Sequence, residues 1–157
     1  MRTLLGILAL GALFALSSVA IAAGPPDPVI GIWKLNAAKS TANKPVPKSE
    51  TRTYVASGDG VALTWERVSA DGKTSTVKTT FNYDGKDYPV TGSPDFDTIS
   101  AKRIDANTIQ TTEKLMGKPV GTTRRAVSAD GKTLTLHQRR TTANGQEVST
   151  LMVYDRE

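Results

Sequence analysis

The sequence predicts an all-β protein, an antiparallel up-and-down meander closing into a barrel of eight to ten strands. Three observations carry this. From residue 51 onward apolar and polar residues alternate with period two. Asp-Gly and Asn-Gly pairs, which tolerate the positive φ of tight hairpins, punctuate the runs. The runs are rich in Thr, Val and Tyr, which suit a pleated, half-buried surface. A meander of that size has two unpaired edges, and closure removes them.

The N-terminus reads as an export signal. Arg2 precedes an apolar stretch, Leu4 to Leu16, too short for a comfortable membrane span. Small residues follow, and Ala20-Ile21-Ala22 fits the A-x-A pattern. Residues 1–23 are therefore expected to be a signal peptide cleaved after Ala22 or Ala23, with an uncleaved anchor as the alternative. The protein would be periplasmic or secreted. Residues 24–29, with Pro25, Pro26 and Pro28, read as a linker, and 30–157 as the barrel domain. The chain has no Cys, which excludes a disulfide and lipid attachment at a cysteine.

The first strand is expected near Ile30 to Leu35, followed by at most one helical turn at Ala37 to Lys39. Later runs are 51–56, 61–68, 74–83, 98–104, 108–115, 120–127, 133–140 and 147–154, with a short strand possible at Tyr88 to Val90. The separators are Gly58-Asp59-Gly60, Asp71-Gly72, Asp84-Gly85, Asp105-Ala106-Asn107, Gly117-Lys118-Pro119, Asp130-Gly131 and Asn144-Gly145. Ser69-Ala70-Asp71-Gly72-Lys73-Thr74 recurs as Ser128-Ala129-Asp130-Gly131-Lys132-Thr133. It is either a duplicated half-barrel or one hairpin solution used twice.

Certain stretches resemble a known family. Gly31-Ile32-Trp33-Lys34-Leu35 is similar to the Gly-x-Trp start of the calycins, the lipocalins and fatty-acid-binding proteins. Together with Ala38-Lys39-Ser40, the stretch from Asp84 to Gly92 and the stretch from Arg103 to Thr108, it resembles exported bacterial lipocalin-like (calycin-type) proteins without an established activity. The resemblance implies a lipocalin-like barrel, in which Trp33 either floors a ligand cavity or, with Gly31, seals the barrel end as core. It also implies a late-strand Arg over the indole, for which Arg124, Arg139 and Arg140 are candidates. It does not extend to the two-helix lid of fatty-acid-binding proteins, because Pro45 and Pro47 break residues 36–50. Nor does it reach their Arg-x-Tyr carboxylate pair, since Met152 stands two before Tyr154.

An eight-stranded barrel is just wide enough for side chains or one small ligand. Trp65, Phe81, Tyr83, Tyr88, Leu136, Met152 and Tyr154 fall on expected inward faces. Small residues at Thr79, Ala101, Thr122, Ala126 and Thr150 would leave room among them. Arg67, Arg103, Gln138 and Arg140 share phase with apolar positions. They either meet an anionic head group or snorkel to water. The loop 88–98 is the expected mouth, with Phe96 as its gate. The candidate ligand-binding set is thus Trp65, Phe81, Tyr83, Tyr88, Phe96, Arg103, Arg140, Met152 and Tyr154.

Other chemistry finds little support. His137 is the sole histidine and is expected to face outward, so no zinc or haem site is read. Asp84, Asp87, Asp95 and Asp97 lack EF-hand spacing, and no metal or cofactor is assigned. No nucleophile elbow or phosphate loop is present, so no catalytic residue is named and an enzyme is not expected. The net charge of +5 comes from basic residues scattered among Thr, a solvated sheet face and not a nucleic-acid patch. The leading expectation is an exported monomer that binds a small hydrophobic or anionic amphipathic ligand. The alternative is a filled barrel whose basic outer face makes peripheral contact with the cell envelope.

Overall fold

The computed structural model describes residues 26–141 and 144–157. The signal-peptide reading of residues 1–23 lies outside the described residues. The elements are β1 (Gly31–Leu35), a single 3-10 turn (Ala37–Lys39), β2 (Thr41–Ala42), β3 (Ser49–Ser57), β4 (Gly60–Val68), β5 (Thr74–Phe81), β6 (Asp84–Thr91), β7 (Thr98–Arg103), β8 (Thr108–Leu115), β9 (Lys118–Val127), β10 (Thr133–Thr141) and β11 (Glu147–Arg156). Neighbouring strands pair in sequence order, all antiparallel, and β1 also pairs with β11. Ten strands thus form a closed barrel, and the two-residue β2 pairs with β11 beside it.

The alternation read from the sequence is the one that fills the interior. Leu63 and Trp65 of β4, Val77, Thr79 and Phe81 of β5, and Leu134 and Leu136 of β10 are all buried. Each large apolar side chain so buried stabilises the barrel by roughly 1.5–3 kcal/mol. The two Ser-Ala-Asp-Gly-Lys-Thr turns make the same bonds. In each, the Ser hydroxyl donates to the Asp carboxylate, and the Lys backbone N–H donates to the same oxygen.

Three local expectations need correction. Asp84 to Thr91 form one strand, because Gly85 (φ +77) sits in a register shift between Asp84 and Asp87 instead of ending the strand. The irregular loop shrinks to 92–97. The β8–β9 turn is Met116-Gly117, so Lys118 and Pro119 begin β9. A register shift beside Val120 (Glu113 opposite Gly121, Lys114 opposite Pro119) then moves β9 by one residue. Thr123, Arg125 and Val127 are buried in consequence, while Thr122 and Ala126 are only half-buried.

One end of the barrel is shut. Trp33 has 0% exposure, and its indole N–H donates to Val29 O at 2.7 Å. The arginine over the ring, 4.2 Å from its centroid, is Arg156 on β11, not Arg124, Arg139 or Arg140. Arg156 also donates to Gly131 O, Ile30 O and Pro28 O, tying β11 to the segment before β1 and to the β9–β10 turn. Gly31 (φ +135) is required here, because a Cβ would stand 2.6 Å from Arg156 Nη1. The proline-rich stretch does more than connect, since Val29 is fully buried and Asp27 takes ion pairs.

The wall is thinnest between β5 and β6, which pair only at Lys78 with Thr91 and Thr79 with Val90. Gly92 (φ +82) ends this seam, and a Cβ there would lie 2.1 Å from Thr76 O. Gly92→Ala is expected to lower stability by about 1–3 kcal/mol. Urea unfolding measures it, and an unchanged midpoint would mean that the seam tolerates the side chain.

Candidate functional site

A cavity of about 240 Å³ lies inside the barrel. Its wall is mainly apolar and aromatic, from Leu63, Trp65, Val77, Phe81, Ile99, Ile109 and Leu136. Phe96 of the 92–97 loop stacks on Trp65 at 6.3 Å between centroids. A second space of about 810 Å³ adjoins it, reaching Lys44, Pro45, Pro47 and the β8–β9 hairpin. The two share Arg67, Ser69, Pro94, Asp95, Gln138 and Arg140 as wall residues, so they adjoin there. The 92–97 loop contributes Pro94 and Asp95 to that shared wall, close to where the sequence places the mouth.

Three polar groups punctuate this interior. In the first, Glu50 is 1% exposed. It accepts from Arg52 Nε at 2.6 Å, Arg67 Nε at 2.5 Å and the Tyr154 hydroxyl at 2.7 Å. Burial opposes ionisation of Glu50, but the two guanidiniums and the Tyr154 hydroxyl outweigh it and hold the carboxyl below its usual range. Burial pushes the Tyr154 hydroxyl up, so it stays a neutral donor. Arg52 lies over Trp65 at 4.9 Å and Tyr154 at 5.4 Å. Glu50 does not itself reach the cavity wall; Arg52 and Arg67 do.

The second group is near the shut end. Asp27 accepts from the Tyr83 hydroxyl at 2.5 Å and Arg103 Nη2 at 2.7 Å. Burial raises its pKa, and Tyr83, the Val29 N–H, Arg103 and Arg125 more than reverse this, so the carboxylate is held below its ordinary value. Burial is also the main cause of the Tyr83 pKa being pushed up to about 12. Arg125 donates from Nη2 to the Tyr83 hydroxyl at 3.1 Å and packs over Tyr54 at 5.1 Å.

The third group borders the loop. Glu113 accepts from the Thr123 hydroxyl at 2.6 Å. Its other oxygen is 2.9 Å from Arg140 Nε, yet neither atom is aligned for a hydrogen bond. Arg140 donates to Asp95 at 3.1 Å and lies over Phe96 at 4.9 Å. Gly121 makes the approach feasible, since a Cβ there would meet Arg140 Cγ at 2.7 Å and Glu113 Oε2 at 2.9 Å.

Of the residues singled out in the sequence, Trp65, Phe81, Phe96 and Arg140 line the cavity, and Met152 lines the adjoining space. Tyr154 is buried behind the wall in the Glu50 group. Tyr83 and Arg103 belong to the Asp27 group, with Arg103 4.3 Å over the Tyr83 ring. Tyr88 is outside the cavity, donating to Asp84 across the bulge. The aspartates weighed for a cation are apart in their bonding: Asp87 pairs with Lys114, Asp95 with Arg140, and Asp97 accepts from the Met116 N–H. His137 is half-buried beside Ser149. Arg52, Arg125 and Glu113 escaped the sequence reading. Arg52 shares phase with Tyr54, which could have flagged it; Arg125 became inward only through the bulge.

Comparison with solved structures bears on this barrel. The crystal structure of zebrafish ileal bile acid-binding protein complexed with cholic acid matches over 83% of this chain and 99% of that one, with a TM-score of 0.54 and 14% identity. The fold is calycin-like. Siderocalin Ex-FABP matches at a TM-score of 0.38 and 13% identity, over 83% of this chain and 74% of that one. No family model and no curated protein matches the chain.

Proposed function

We propose that this calycin-like barrel is an exported, monomeric, non-enzymatic binder of a small hydrophobic or amphipathic ligand. The observation that carries the reading is the cavity inside the barrel, with an apolar wall and a few convergent polar groups, the usual composition of a small-molecule site. The bile acid in the zebrafish complex supports it. The cavity also speaks against a filled barrel that acts only through its outer face. Closure leaves no long sheet edge for self-pairing, which supports a monomer.

Binding is tested with decanol, an uncharged chain. Saturation at about one hundred times Kd adds about 2.7 kcal/mol to stability and raises the melting temperature. Native mass spectrometry of protein from its own host is expected to show an added small-molecule mass. A bare mass together with no thermal shift would sink the reading. Export is supported by the Arg2, Leu4 to Leu16 and Ala20-Ile21-Ala22 pattern. N-terminal sequencing of the host protein should start at Ala23 or Gly24, and an intact Met1 in the cytoplasm would refute it.

A further inference from the structure

We propose that the β8–β9 hairpin docks this protein on an anionic lipid bilayer, with the Met116 side chain entering the acyl boundary and Lys44 and Lys118 meeting lipid phosphates. Met116 lines neither interior space, so this surface is separate from the ligand cavity. Two independent observations meet at Met116. It is 82% exposed, more than any other large apolar side chain described. It is also the one non-glycine residue with positive φ among the described residues, at +50°. Met116 and Gly117 (φ +76) are the two central residues of a tight hairpin, with Leu115 paired to Lys118 across it. Two positive φ values are the pattern of a type I′ turn, in which Asn-Gly is relaxed and Met is strained. Other turns of this chain carry Asp71-Gly72 and Asp130-Gly131. Here the chain instead exposes an apolar side chain to water and bears a left-handed backbone to do so. Strain kept at an exposed tip points to function.

The tip is braced from behind. The Met116 N–H donates to the Asp97 carboxylate at 2.9 Å, the Asp97 N–H donates to Lys114 O at 3.0 Å, and Lys114 pairs with Asp87 at 2.7 Å. The carboxylates of Asp97 and Asp87 thus already have donors. Lys118 on the hairpin and Lys44 border the same larger space, and both are exposed. Neither makes an ion pair among the described residues, unlike Lys114. Pro45 and Pro119 add exposed apolar surface beside them. An apolar tip beside unpaired cations matches a bilayer, whose anionic headgroups overlie an apolar boundary. A protein partner fits less well, since a stable protein interface buries about 800 Å² on each side and a two-residue tip offers far less.

Co-sedimentation of residues 24–157 with lipid vesicles tests this, because the apolar residues 4–16 would enter lipid by themselves. Partitioning onto phosphatidylcholine vesicles that carry about 30% phosphatidylglycerol should exceed that onto pure phosphatidylcholine by about tenfold, and should fall in high salt. Met116→Asn should lower partitioning about tenfold, because the inserting side chain is gone. The same variant should melt about 2–4 °C higher than the native chain, because Asn accepts the φ of this turn. Its decanol affinity should stay native. Lys44→Glu combined with Lys118→Glu should abolish the preference for anionic vesicles. Equal partitioning of the native chain onto the two vesicle types, or onto neither, would overturn the proposal. So would Met116→Asn that partitions or melts like the native chain. These failures would leave the small-molecule reading standing, since decanol binding tests it separately.

Discussion

Glu50→Ala is expected to lower the unfolding free energy by about 3–5 kcal/mol, the usual cost of stranding one partner of a buried ion pair. The side chains of Glu50 and Arg52 are 0% and 7% exposed, so water cannot replace the lost carboxylate. Arg67 and the Tyr154 hydroxyl lose their acceptor as well. Equilibrium urea unfolding at neutral pH measures the change. A double replacement, Glu50→Leu with Arg52→Met, should recover much of it, because an apolar pair of similar volume carries no desolvation cost. The effect also depends on pH. The folded Glu50 carboxyl is held below its ordinary value of 4.5. Its stabilisation is therefore complete above that value and is lost as pH falls through the folded value. The gap between native protein and Glu50→Ala should narrow in acid. A gap that widens in acid, or a loss under about 1 kcal/mol at neutral pH, would show that Arg52 finds another partner.

Trp33→Ala should cost about 3–5 kcal/mol, as expected for truncating a fully buried Trp. Three supports depend on that ring: the apolar plug it forms at the barrel end, the bond to Val29 O, and the stacking of Arg156. Trp33→Phe keeps most of the plug and loses the indole N–H, so about 1 kcal/mol is expected. Thermal melts of the two variants separate packing from the hydrogen bond. If Trp33→Ala melts within a few degrees of the native protein, the shut end is not part of the cooperative unit.

Nearly all the strands were legible because their signals are short-range. Alternation along a run and the residues of a tight turn are properties of neighbours in sequence. Two of the failures came from a single extra residue each. Gly85 looked like a turn and is a bulge. The shift beside Val120 reversed the faces of β9, which hid Arg125 and promoted Thr122 and Ala126. A one-residue slip exchanges every inward side chain for its outward neighbour. The candidate site was read in part: of its aromatics Trp65, Phe81 and Phe96 were found, while three of its charged members, Arg52, Arg125 and Glu113, were not.

The sequence by itself determined an antiparallel meander of hairpins, its approximate strand limits, and an indole at the start of the first strand. Only the tertiary structure decided that Arg156 covers that indole, that Arg52 and Arg125 are buried, and that a cavity survives between them. The reason is distance along the chain. Arg52 meets Tyr154 across 102 residues, and Tyr154 meets Glu50 across 104. Charge on an arginine argues for the surface until the fold encloses it with its partners: Arg52 has Glu50 on its own strand, and the Tyr154 hydroxyl joins them when β11 closes the barrel against β1, while Asp27 reaches Arg125 from the segment before β1.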